Sequence, residues 1–294
     1  MTMFKFLAAA LLLGASLGQP TAQGAQIALL DSDNTEEFFR RHYAGCFSPT
    51  YFLGNGQEYQ RYFRGWEYVL TKNSIPFDII QDSGATTEGL ANYKVLILSN
   101  TASLSDDQVR AIHSWVVRGG RLLATFGSGY KDITLDLREI DLLREQSGGT
   151  FGLHQLWHDP VGKIFSTFWL DPGVDVRITR YQGPTACLSG QLSGNILPYG
   201  AEGNMLIHRP DNHPDKLADL MIDNPTWTRQ TPAVIETRTG QGLVVYFSFA
   251  PEYLVSKEFG LPSPEACSDG QSWTGRSEKG RMLMLCAINY LLNN

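Results

Sequence analysis

Between Tyr93 and Lys131 the chain reads YKVLILSNTASLSDDQVRAIHSWVVRGGRLLATFGSGYK, and the spacing of its apolar positions changes twice. Val95 to Leu98 is an unbroken apolar run, as a strand buried on both faces requires, and it stops at the turn-forming pair Ser99-Asn100. Ser105-Asp106-Asp107 then supplies a helix cap, followed by apolar residues at Val109, Ile112, Trp115 and Val116, spaced by three and four. Gly119-Gly120 ends that helix. Leu122 to Phe126 is a second apolar run, leading into Gly127-Ser128-Gly129. Strand, helix and strand in this order predict a parallel sheet covered by helices.

The same alternation extends on both sides. Gln26 to Leu30 predicts a first strand running into Asp31-Ser32-Asp33-Asn34, and Asn55 to Lys72 predicts a helix with Tyr59, Tyr62, Phe63, Trp66, Val69 and Leu70 on its core face. Pro76 to Ile80 reads as the next strand, and Ile133 to Gln146 as a helix or an ordered lid. Beyond Gly148 the pattern breaks into short candidate strands, Ile164 to Trp169, Asp175 to Thr179 and Met205 to His208, separated by Gly and Pro; Leu217 to Met221 reads as a helical turn. The sheet pattern returns at Ala233 to Glu236, a turn at Thr239-Gly240-Gln241-Gly242, and the strand Leu243 to Phe249. An amphipathic helix over Arg276 to Leu292 follows, carrying Met282, Leu285, Ile288, Asn289, Leu291 and Leu292.

Composition adds a compartment. Lys5 is the only charge before Asp31, Phe6 to Leu17 is apolar, and Ala22-Gln23-Gly24 has small residues where a signal peptidase reads. An apolar run of about 12 residues is short of the ~20 that span a bilayer. The expectation is therefore a signal peptide over residues 1–24, cleaved after Gly24 or Ala25, and a secreted or periplasmic protein. Residues 25–294 then form a single α/β domain, elaborated at about 150–230, with no later transmembrane segment. Loss of Lys5 makes the formal charge of −6 one unit more negative, so no footprint for nucleic acid is present. An oxidising compartment permits disulfides among Cys46, Cys187, Cys267 and Cys286. A Cys267–Cys286 bridge would pin the Gly/Pro/Ser-rich loop before the last helix; reduced, buried thiols are the alternative.

The segment Tyr93 to Lys131 closely resembles the trimerisation domain of microbial β-galactosidases, which belongs to the class I glutamine-amidotransferase-like superfamily. PAVIETRTGQGLVVYFSF, Pro232 to Phe249, resembles the later hairpin of the same group. The resemblance implies a three-layer, doubly wound, mostly parallel sheet of flavodoxin-like and amidotransferase-like type, with an inserted irregular β region. Active members carry Gly-x-Cys-x-Gly after a central strand and Phe-His-Pro-Glu after a late one. This chain has Phe126-Gly127-Ser128-Gly129 and Phe249-Ala250-Pro251-Glu252, so Ser128 stands for the cysteine and Ala250 for the histidine. Serine needs an adjacent base to act as a nucleophile, and alanine supplies none. The resemblance thus implies a non-catalytic module for interaction, assembly or carbohydrate association in the cell envelope. Its partners would be a second copy of the chain, an envelope protein or a carbohydrate ligand, and no cofactor or metal is implied.

The alternative reading is a secreted hydrolase acting on a glycan or ester. Its candidate residues are Ser128, Glu252, His154 and His158, with an oxyanion donor near Asn100 or Gly129. His154 and His158 are four apart in GLHQLWHDP, but no glutamate between them completes a metalloprotease pattern. His113 reads as packing or surface, and His208 and His213 fall in a Pro/Asn-rich stretch. Asp31, Asp33, Asp171, Asp175 and Glu236 are further acids near strand ends, without a pair that spacing brings together. Asn100, Gly127, Gly129, Trp157 and His208 are the positions expected to face a ligand. Trp157, Trp169, Tyr181, Trp227 and Trp273 are aromatic candidates for stacking on sugars.

Overall fold

The computed structural model describes residues 24–42, 57–129, 156, 164–168, 175–198, 205–208, 215–221, 231–255 and 274–294. One sheet organises them. Its order is β2-β1-β3-β4-β11-β10-β9-β6-β7, where β1 is Ile27–Asp31, β2 Phe77–Gln81, β3 Val95–Leu98 and β4 Arg121–Thr125. On the other side lie β6 (Asp175–Ile178), β7 (Ile196–Leu197), β9 (Lys216–Met221), β10 (Thr231–Thr239) and β11 (Gly242–Phe247). Strands β2, β1, β3, β4 and β11 are parallel, and β10, β9, β6 and β7 extend the sheet antiparallel. A separate antiparallel pair joins β5 (Ile164–Phe168) to β8 (Met205–His208).

The parallel half follows directly from the apolar runs, since Val95 to Leu98 and Leu122 to Ala124 are fully buried. Helices α1 (Asp33–His42) and α2 (Gln57–Lys72) cover one face together with α5 (Pro251–Val255) and α6 (Thr274–Asn293). On the other face lie the short α3 (Thr87–Leu90) and α4 (Asp106–Val117). Ser105 caps α4 as its sequence predicts, with Gln108 returning the bond to the Ser105 N–H at 2.6 Å. All six core positions read on α2 are buried.

Two tight contacts set the spacing of the layers. The Gly240-Gln241-Gly242 turn tucks under the end of α4: the Gln241 N–H donates to Val117 O at 2.9 Å, and a Cβ on Gly242 would lie 2.0 Å from Val116 O. On the opposite face Gly65 of α2 presses against α5, where a Cβ would meet Glu252 O at 2.6 Å. Gly65→Val should therefore cost about 3 kcal/mol by overpacking against backbone that cannot yield. A urea midpoint would register it, and a variant as stable as the parent would show that the two helices are not in close contact.

Three sequence expectations change. Lys216–Met221 is a strand, not a helical turn, because pairing with both β10 and β6 overrides the helix-favouring Leu, Ala and Met. Its Asp219 is buried and meets the Lys216 ammonium at 2.8 Å. The last helix buries Leu283, Met284, Ala287, Ile288 and Leu291 while Asn289 is exposed, so its core face is broader and turned from the one expected. The disulfide joins Cys187, not Cys267, to Cys286, with Cα atoms 6.0 Å apart. Its cause is the 3-10 turn Gly183–Leu188, which packs on α6 and carries Cys187 to it. The expected helix or lid at Ile133 to Gln146 lies outside the described residues, as do Cys46 and Cys267.

Candidate functional site

Strand β4 ends at Thr125, and the chain turns through Phe126-Gly127-Ser128-Gly129 at the carboxyl edge of the sheet. The strained residue of this turn is Phe126, with φ +44°, a conformation a bulky side chain adopts only when its surroundings enforce it. They do so from both sides. The Phe126 N–H donates to Phe247 O at 2.7 Å, and the buried Tyr246 hydroxyl donates to Phe126 O at 2.6 Å. The residue displayed at the elbow is therefore a buried phenylalanine.

Ser128 lies two residues further on, buried, with its hydroxyl fully engaged. It donates to Thr125 O at 2.7 Å, with Leu98 O a second acceptor at 3.0 Å, and it accepts from the Thr101 N–H at 3.2 Å. It ties the ends of β3 and β4 together. The amides around it are also committed: Gly127 N–H donates to Asn100 Oδ1 at 3.2 Å, Ser128 N–H to Thr125 O at 3.2 Å, and Gly129 N–H to Thr101 O at 2.8 Å. The Asn100 N–H donates to Thr125 Oγ1 at 2.9 Å. An oxyanion hole needs donors aimed at open space. Neither backbone donor expected for one, near Asn100 or at Gly129, is so aimed.

Glu252 follows Ala250-Pro251 at the start of α5 and points into the protein between α2 and the sheet. It is completely buried, and Oε1 accepts from Thr125 Oγ1 at 2.5 Å and Ser99 Oγ at 3.3 Å. Burial pushes the carboxyl up to about 8, against the pull of the Thr125 and Ser99 hydroxyls. The Trp66 indole adds to that pull without meeting hydrogen-bond geometry; among the described residues, Trp66 Nε1, Asn100 Nδ2 and Glu252 Oε2 are buried without a hydrogen-bond partner. Among the described residues no cation or imidazole hydrogen-bonds this carboxyl. Burial thus favours its protonated, uncharged form.

Among the described residues, the other candidates do not converge on this turn. Glu236 sits on β10 and accepts from the Tyr290 hydroxyl at 2.5 Å, and burial together with that contact pushes the Tyr290 hydroxyl up to about 12. Asp31 is bonded by Gln81 Nε2 at 3.3 Å, and partial burial raises its carboxyl. His113 packs on α4, where burial pulls its imidazole down. His208 ends β8 opposite Ile164. Tyr181 packs against the core and donates its hydroxyl to Asn195 at 3.0 Å. His154, His158, His213, Trp157, Trp169, Trp227 and Trp273 lie outside the described residues, and the side chain of His208 does as well. Among the described residues no group of three or more His, Cys, Asp or Glu could hold a metal ion, and no helix is long and apolar enough to cross a membrane.

Two features here escape sequence reasoning. The strain at Phe126 is a backbone property that residue type does not announce. The contact of Gly65 with Glu252 joins positions far apart in the chain, and an isolated Gly inside a helical pattern is its only signal.

No protein-family model matches the chain, and no curated protein does. Solved structures share its fold. A cold-adapted β-galactosidase from Rahnella sp. R3 superposes with a TM-score of 0.55 at 18% identity, over 81% of this chain and 32% of the enzyme. A β-galactosidase from the haloarchaeon Halorubrum lacusprofundi gives 0.54 at 14% identity, over 80% and 29%. A protein from Bacteroides uniformis described as ThuA-like gives 0.54 at 14% identity, over 94% of this chain and 96% of its own. The chain thus spans about a third of the galactosidases' length and nearly the whole of the last protein. At these identities the likeness establishes the fold: a flavodoxin-like, amidotransferase-like α/β sheet with added β-strands.

Proposed function

We propose that this chain is an exported, non-catalytic amidotransferase-like module that works by association, with itself, an envelope protein or a glycan. The observation that carries the reading is the closed elbow. Phe126 takes the strained position, Ser128 spends its hydroxyl between two strands, the surrounding amides are committed, and Ala250 stands where a base would be needed. The resemblance to galactosidase trimerisation domains, with the shared fold of two β-galactosidases, supports a setting of assembly or carbohydrate chemistry. The signal-like residues 1–24 support export.

Ser128→Ala separates this reading from the hydrolase. It removes the hydroxyl that joins β3 to β4 and leaves the buried Thr101 N–H without its acceptor, at a cost of about 1–3 kcal/mol. The expected result is a lower unfolding midpoint, with no turnover of glutamine, aryl esters or aryl glycosides by either protein. Ester or glycoside turnover by the parent that the variant loses, with its stability unchanged, would reverse the conclusion. Sedimentation of the mature chain tests self-association directly; a monomer at every concentration would leave heterologous partners or glycan.

A further inference from the structure

The strand order places a second feature at the carboxyl edge, separate from the elbow. Chain progression reverses between β1 and β3: β2 lies on one side of β1, while β3 and β4 follow on the other. Open α/β sheets bind ligands in the crevice outside such a switch point. Here residues that follow β1, β2 and β3 line an open cleft of about 580 Å³, which lies within the size range of small-molecule sites. Asn34 enters from α1, residues 82–88 form one wall, and residues 105–114, at the start of α4, form the other.

The floor of the cleft is rigid. Asp82 Oδ1 accepts from Gln108 Nε2 at 2.9 Å and Oδ2 from the Asn34 N–H at 2.9 Å. Gln108 is itself fixed, because its Oε1 accepts from Ser105 N–H in the capping box. These bonds join all three loops, so the groups facing the cleft are preorganised. Ser83, Thr87 and Ser114 offer hydroxyls, and Glu88 a carboxylate, that make no hydrogen bond among the described residues. Among the described residues no aromatic or large aliphatic side chain lines the space.

Charge narrows the ligand. Among the described residues Asp82, Glu88 and Asp107 outnumber the one lining cation, Arg110, which already meets Asp107 at 2.7 Å. That balance disfavours phosphate and other anions. The described residues hold no metal-binding cluster, and the walls offer no flat apolar surface for a heteroaromatic ring. Hydroxyl donors suit the acceptor-only carboxylates, and their oxygens suit the Ser and Thr hydroxyls. We propose that this cleft binds a neutral polyhydroxylated ligand, a sugar residue of a glycan. The proposal rests on the association reading above and gives it a site.

The test is an NMR titration of the full mature protein with neutral galacto-, manno- and gluco-oligosaccharides, with polygalacturonate and spermidine as charged controls. At least one neutral saccharide should shift amides in 82–88 and 105–114. Glu88→Ala and Ser114→Trp, which remove an acceptor and fill the cleft, should each weaken it tenfold or more. Glu88 is exposed, so its loss leaves the fold intact, and an unchanged unfolding midpoint provides the control. Absence of shifts with every neutral saccharide overturns the proposal, as do spermidine shifts that exceed them or affinity that neither variant changes. Glycan turnover would defeat the non-catalytic reading while leaving the cleft's affinity in place. A protein that turns nothing over and binds no saccharide would defeat the cleft alone.

Discussion

Glu252→Gln should make the protein more stable than its parent at pH 8 and leave the two nearly equal at pH 5. The folded state raises this carboxyl from 4.5 to about 8, so between those values the native protein holds a proton that the unfolded chain has released. Stability contributed by the neutral acid is fully present below about pH 4.5 and is lost as pH rises through 8. The slope is about 1.4 kcal/mol per pH unit, which amounts to roughly 4 kcal/mol between pH 5 and pH 8. Glutamine never ionises, and its carbonyl can accept the Thr125 and Ser99 bonds. Comparing the variant with its parent cancels the other titrating groups, Asp31 among them. Urea midpoints measured at pH 5, 6.5 and 8 should diverge steadily, and parallel profiles would show that Glu252 is charged or solvated in the native state.

Removal of the Cys187–Cys286 bridge is the second large effect. The bond closes a loop of sequence separation 99, and restricting so long a loop in the unfolded chain contributes about 4 kcal/mol on chain-entropy grounds. It also anchors the Gly183–Leu188 turn to α6. Cys187→Ala with Cys286→Ala should lower the urea midpoint of the oxidised protein by a corresponding amount. Peptide mapping without reduction should recover the 187–286 linkage. A Cys267–Cys286 peptide, or a double variant as stable as its parent, would contradict this pairing.

The parallel half of the sheet was legible because it depends on local signals. Val95 to Leu98 and Leu122 to Ala124 are continuous apolar runs, Ser105 with Gln108 is a capping box, and α2 places its aromatics at helical spacing. The antiparallel half was less legible. KLADLM favours a helix on its own and becomes β9 only because β10 and β6 flank it. The disulfide was misread for a related reason. Cys267 is nearer in sequence to Cys286, and only the packing of the Gly183–Leu188 turn on the last helix brings Cys187 there.

The site divides in the same way. Serine and alanine at positions 128 and 250 could be read directly, and with them the difficulty of nucleophilic catalysis. Which atoms fill the hydrogen-bonding capacity of Ser128 could not be read, because Leu98, Thr101 and Thr125 meet it only after two strands pair. The cleft at the switch point was also hidden, since Asn34, Asp82 and Gln108 belong to three loops that only the strand order assembles.

The central claim is that Ser128 joins two strands and does not attack a substrate. Exposure of the native protein to a fluorophosphonate probe, followed by intact-mass measurement, tests it most directly. An unchanged mass, identical for the parent and Ser128→Ala, is the predicted result. A single covalent adduct that maps to Ser128 and disappears in the variant would contradict it.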